Sequence, residues 1–244
     1  MMKHLLWRGM LAGALAALVA ATFALWFAEP AVDGAIAVEA QHAAHAMMGG
    51  EEELVSRATQ KGAGLYTAML LYGSAMGGLF AVAFASLYGR VVRIGPRSLA
   101  LLLAVTAFVV VSLVPALKYP PTPPAVGMPE TVQLRTADFF AMLGYSVLAA
   151  VAGLWLYRRL HGRLVGIDRV LAAIGGYLVL IVLLQLSLPA VDEVPEDFPA
   201  TLLWQFRLGS LGAQAVFWAA AGIAFGWLAE RLLLGAHRSR PVRH

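Results

Sequence analysis

Apolar positions along this chain gather into long unbroken runs, and the polar positions are squeezed into short segments between them. Six runs, 9–27, 62–89, 98–117, 139–157, 170–191 and 208–229, contain no Asp, Glu, Lys, Arg or His. An α-helix crosses a hydrocarbon core of about 30 Å with roughly 17–25 residues, and each run is at least that long. Backbone donors and acceptors in lipid must find partners within their own segment, so the runs predict helices. Leu, Ala, Val and Gly dominate them, without the period-two alternation of a membrane barrel strand. The expected fold is all-α: a polytopic membrane helix bundle of six transmembrane helices, forming one integral membrane domain over 1–244 with no separate soluble domain.

Composition agrees and charge adds a direction. The chain is 60% hydrophobic and 13% charged, with a mean hydropathy of +0.75; soluble domains carry about 25% charged residues. The polar segments 1–8, 90–97, 158–169 and 230–244 hold 13 Lys/Arg and two acids, Asp168 and Glu230. The alternating segments 28–61, 118–138 and 192–207 hold 5 Lys/Arg and 12 acids. Basic residues are retained on the cytoplasmic side, so both termini are expected in the cytoplasm of a multi-pass inner (plasma) membrane protein. The pI of about 9.6 then reflects topology, and the tail "HRSRPVRH" lies against anionic lipid rather than nucleic acid. The first run resembles a signal peptide but ends in the bulky "LWF" instead of a small-residue cleavage site, so it reads as an uncleaved span. With no cysteine, thiolate metal sites and disulfides are excluded.

The connections differ in character. Residues 32–48 are alanine-rich and predict a short surface helix ended by "GG" at 49–50. "KYPPTPPAVGMPE" (118–130) carries five prolines and predicts a stiff extended cap. "GMLAG", "GSAMG" and "GIAFG" place Gly9/Gly13, Gly73/Gly77 and Gly222/Gly226 at the spacing that brings helices close. Such faces serve packing within the chain or a homo-oligomer. No internal repeat is evident.

Candidate chemistry centres on "VEAQHAAHAMMGGEEE" (38–53). On a helix, Glu39, His42 and His45 share one broad side. Imidazole with carboxylate suits Ni²⁺, Co²⁺ or Zn²⁺, and the thioethers of Met47 and Met48 suit softer ions. Glu29, Asp33 and the acids at 51–53 add negative charge that gathers cations. A solvated helix with no metal is the competing reading. Within the spans the polar groups are Tyr72, Ser74, Thr106, Ser112, Tyr145, Ser146, Gln185 and Gln214, which either line a path or join helices. Lys118, Arg135 and Arg207 either face a path or pair with Asp192, Glu193 or Asp197 to lock the loops. No Walker A loop, H-E-x-x-H or G-x-S-x-G appears, and no tightly bound cofactor is expected.

"VSRATQKGAGLYTAMLLYGSAMGGLFAVAFASLYGR" (55–90), "VPALKYPPTPPAVG" (114–127) and "FPATLLWQFRLGSLGAQAVFWAAAGIAFGWL" (198–228) resemble the predicted cobalt transporter subunit family CbtA. "EPAVDGAIAVE" (29–39) fits as well, and the K-Y-P-x-x-P-P segment is the most specific part. The resemblance implies a membrane component of cobalt uptake for cobalamin biosynthesis, paired with a small single-span partner that bears a histidine-rich tail. Its matched polar positions are Arg57, Gln60, Tyr72, Lys118, Tyr119, Arg135, Trp204, Arg207 and Gln214. The cationic members suggest salt bridges to the acids, or an anionic or chelated substrate.

Three functions follow as expectations. The first is metal-ion transport: uptake of a divalent transition metal, Co or Ni, by a protein that is not an enzyme. The second is a non-transporting membrane scaffold that binds a partner. A lipid-modifying enzyme is third, because no paired carboxylates or histidines converge at one depth.

Overall fold

The computed structural model describes residues 2–45, 55–91 and 94–238. They form seven helices: α1 (Met2–Phe27), α2 (Glu29–His45), α3 (Arg57–Leu87), α4 (Pro96–Lys118), α5 (Pro129–Arg159), α6 (Ile167–Ser187) and α7 (Ala200–Arg238). All but α2 are long and apolar enough to cross a membrane. Each overlaps one predicted run. The ends differ for local reasons. Ser56 starts α3 early, its Oγ accepting the Thr59 N–H at 3.4 Å. Leu188, which precedes Pro189, takes extended backbone and stops α6, because proline disfavours helix at the residue before it. Helices α5 and α7 begin seven residues or more ahead of their runs. Arg135, Asp138 and Arg207 therefore ride on helices instead of lying in connections.

Small residues set the packing. One face of α1, including Ala12, Ala16, Ala17 and Ala20, is buried against α3 and α7. Gly9 and Gly13 meet Gly73 and Gly77 so closely that a Cβ on any of the four would collide with the opposing backbone or an opposing Cβ. Gly222 faces Ala104 of α4 as closely, and Gly226 packs tightly on Ala100, where an added Cβ would stand 3.3 Å from the Ala100 Cβ. All three glycine pairs are thus used inside the chain. Phe80, Phe84, Phe217, Trp218 and Phe225 fill the space beside them. Large apolar side chains such as Leu71, Leu79 and Trp155 stand exposed around the outside. An apolar exterior over a small-residue interior is the arrangement lipid solvation favours.

Proline shapes α4. Residues Phe108–Leu113 form a wide π turn, in which the Val114 N–H bonds Val109 O. The next donor in that register would be Pro115, which has none, so Val110 O is left over. The fully buried Ser146 on α5 donates to it at 2.7 Å. Gln185 on α6 donates to Val114 O at 3.3 Å. These two bonds tie α5 and α6 to α4 where its own ladder fails, which is how lipid-buried helices accommodate proline.

The polar segments sort to two ends of the bundle. At one, Arg8 donates to Leu228 O and Arg97 pairs with Glu230. At the other, the acidic end, α2 and the connections 119–128 and 188–199 meet one another through the contacts described below. The proline-rich connection is non-helical, as expected, with Ala125 and Gly127 at positive φ.

Candidate functional site

The acidic end opens on a cavity of about 780 Å³, within the range of small-molecule sites. Helices α3, α4, α5 and α7 wall it, and the connections 119–128 and 188–199 contribute its rim. The walls are mostly apolar, with Met76, Val111, Phe139, Phe140, Leu143 and Leu211. Its polar groups are few. Ser112 donates to Gln214 Oε1 at 3.3 Å and accepts the Trp218 indole N–H at 3.1 Å. The Tyr72 hydroxyl lies beside Gln214. The widened turn of α4 carries Ser112, so the same backbone irregularity that frees Val110 O also presents this hydroxyl to α7.

Two arginines line the cavity and differ in their surroundings. Arg135 Nε stands 3.3 Å from Glu193 Oε2, and Arg135 Nη2 donates to Met128 O at 3.2 Å. Glu193 also accepts the Met128 N–H and the Thr131 hydroxyl, each at 2.9 Å. The Met128 amide first, then the Thr131 hydroxyl and the Arg135 charge, hold the Glu193 carboxyl below its ordinary value against the opposing effect of desolvation. Arg207 forms no ion pair among the described residues, and its buried Nε, like that of Arg135, lacks a hydrogen-bond acceptor. Tyr119, also on the rim, donates to Pro189 O at 3.0 Å. Burial, with the Asp138 charge added, pushes its phenol up.

A second group of charges lies between α2 and the start of α3. Arg57 pairs with Glu29 through Nη2 and with Asp33 through Nε at 2.9 Å, and Lys61 meets Asp33 at 3.1 Å. Lys61 first, then Arg57, holds the Asp33 carboxyl below its ordinary value. Gln60 donates to Val55 O at 2.8 Å, closing the turn before α3. Beyond it, Gly62 departs from helical backbone and α3 bends. Lys118 points away from these groups and donates to Gln185 O at 2.7 Å, near the C-terminus of α6, where a cation complements the helix dipole.

The opening candidate window is helical to its last described residue. Glu39 and His42 are exposed on α2, and His42 Nε2 lies 2.9 Å from Asp197 Oδ2. His45 ends α2, and its side chain, like Met47, Met48 and the acids at 51–53, lies outside the described residues. Among the described residues no three His, Asp or Glu side chains converge on a point.

The structure thus brings Tyr72, Arg135, Arg207 and Gln214 together in one cavity, and Glu29, Asp33 and Arg57 together in an ion-pair cluster. Gln60 and Lys118 serve helix ends. Ser112, read from sequence as a polar group that lines a path or joins helices, and Glu193, read as a partner for the loop cations, also line this cavity. Of the pairings considered between Lys118, Arg135 or Arg207 and Asp192, Glu193 or Asp197, Arg135 with Glu193 forms among the described residues.

The family model described as "Probable cobalt transporter subunit (CbtA)" matches residues 2–230 of the chain. No curated protein and no solved structure matches it.

Proposed function

The chain belongs to the CbtA family of probable cobalt transporter subunits, and from that membership we propose that it is a membrane component of divalent-cation uptake with cobalt as cargo. The acidic end faces outward, the basic end with both termini faces the cytoplasm, and cargo enters through the cavity between α3, α4, α5 and α7. The observation that carries this reading is the cavity itself: four spans surround it, and its rim belongs to the acid-bearing connections. Glu39 and His42, exposed on α2, and His45 at its end are ligand types that borderline divalent ions take.

The positive-inside rule supports the orientation. An inward-negative potential favours entry of net positive cargo by about 2.3 kcal/mol per elementary charge per 100 mV. A bare divalent cation thus gains about 4.6 kcal/mol, and a chelate whose ligand charges cancel those of the metal gains nothing from it. The word subunit in the family description implies a second component, and a small histidine-bearing single-span chain fits the role of delivering ions.

The test is radiocobalt accumulation in cells that lack other high-affinity cobalt uptake, with and without this chain. Increased accumulation is expected. No increase, with or without a co-expressed partner, together with stable co-purification of a second membrane protein, would favour the scaffold instead.

A further inference from the structure

We propose that the cavity accepts its cobalt as a small carboxylate chelate, and that Arg207 meets a free carboxylate of that chelate. This rests on the uptake reading and specifies the chemical form of the cargo.

Three observations point the same way. The first is charge. Arg207 lines the cavity with its Nε buried and lacking an acceptor. A guanidinium stays protonated and presents its donors in a fork that matches carboxylate oxygens. A buried donor without an acceptor is costly, and a ligand that brings an acceptor removes the cost. A bare divalent cation brings none and is repelled by the guanidinium.

The second is the donor set. A site for a naked Co²⁺ needs imidazole or carboxylate groups converging on one point, and none converge among the described residues. Of the two acids on the cavity, Glu193 is held by Met128, Thr131 and Arg135, and Asp192 is exposed. Part of the acidic character of this end is likewise spent: Glu29 and Asp33 are paired with Arg57 and Lys61. An anion approaching Arg207 therefore meets a weaker opposing field than the count of acids suggests.

The third is shape. Six waters around a metal occupy about 180 Å³ at roughly 30 Å³ each, far less than the 780 Å³ available. Much of the wall is apolar, suited to a carbon frame and poor at replacing a water shell. A chelate carries its own metal ligands, so the site needs to supply only shape, one countercharge and a few hydrogen bonds. Arg207, Ser112, Gln214 and Tyr72 are the groups available for this.

A lipid phosphate would offer Arg207 similar oxygens, so the test separates the two sources. Purified protein in nanodiscs of zwitterionic lipid is titrated with radiocobalt as its citrate chelate, with aqua cobalt in a non-coordinating buffer, and with metal-free citrate. The chelate is expected to bind at least about tenfold more tightly than either. Arg207→Gln should weaken the chelate by about tenfold or more and leave aqua cobalt no weaker, whereas Arg207→Lys, which keeps the charge without the fork and controls for folding, should fall between the parent and Arg207→Gln. Equal binding of aqua cobalt or of metal-free citrate would overturn the proposal. So would indifference to Arg207→Gln, or loss of chelate binding when phosphatidylglycerol replaces the zwitterionic lipid. Cellular cobalt uptake without chelate binding would sink this inference alone, whereas absence of uptake in every form would sink the uptake reading beneath it.

Discussion

Replacing Gly77 by alanine adds one methyl group at the closest approach of α1 and α3. The new Cβ would stand 2.8 Å from Gly13 Cα and 2.9 Å from Gly13 N, and nearer still to Gly9 O. Carbon atoms pack at about 3.5–4.0 Å, so the helices must part by roughly 1 Å, and such a gap forfeits a quarter to a half of each affected contact. If the affected contacts are as many as one buried Leu side chain makes, about 40–60 atom pairs at about 0.1–0.2 kcal/mol each, the loss is about 1–6 kcal/mol. That overlaps the roughly 1–3 kcal/mol cost typical of overpacking. Between helices in lipid no hydrophobic effect compensates, because the solvent is as apolar as the interface. Gly144 on α5 supplies the control, since a Cβ there meets nothing within 4 Å. Gly144→Ala should be neutral or stabilising by up to about 1 kcal/mol from helix propensity alone. Thermal melting of the two purified variants in the same detergent reads the difference. Equal shifts, or a Gly77→Ala variant as stable as the parent, would refute the claim that this glycine seam holds α1 to α3.

Further outcomes follow from the polar contacts. Ser146→Ala removes the donor that satisfies Val110 O and should cost about 1–3 kcal/mol of stability, read by the same melting assay. Glu193, with a carboxyl held below its ordinary 4.5, binds protons less readily folded than unfolded, so its contribution is fully present above about that pH and fades as pH falls through the lowered value. The wild type should therefore lose melting temperature on acidification below 4.5, and Glu193→Gln should flatten that part of the curve. His42→Ala combined with His45→Ala should raise the cobalt concentration needed for half-maximal uptake and leave the maximal rate intact; an unchanged half-saturation would remove the window from the transport path.

Much of the architecture was written in the chain's solubility pattern. A run without charges has one stable conformation in lipid, so the six spans and the polar α2 could be read directly. What the runs concealed was their ends: Arg135 fell in the polar segment 118–138, and Asp138 and Arg207 stood at the outer ends of the uncharged runs, yet α5 and α7 start upstream of all three. Only tertiary contact decides that, because polar residues at a helix mouth are solvated as readily as those in a loop. The π turn in α4 was equally hidden. Pro115 announces a lost donor, but which carbonyl is stranded, and that Ser146 answers it, depends on a neighbour 36 positions away in the sequence. The cavity followed the same rule. Tyr72, Arg135, Arg207 and Gln214 were visible as polar exceptions, whereas their convergence, and the capture of Lys118 by Gln185 O, required the fold. The acids read either as a cation funnel or as a solvated surface, and only the fold shows Arg57, Lys61 and Arg135 beside Glu29, Asp33 and Glu193.

The absence of cysteine makes one measurement especially direct. A single Asp192→Cys substitution places a unique thiol on the exposed rim of the cavity. Intact cells expressing it are treated with a bulky membrane-impermeant maleimide, and radiocobalt uptake is followed. An outward-facing entrance predicts labelling without permeabilisation and a matching loss of uptake, with the cysteine-free parent unaffected. Labelling that appears only after the membrane is opened, or uptake that persists in fully labelled protein, would contradict it.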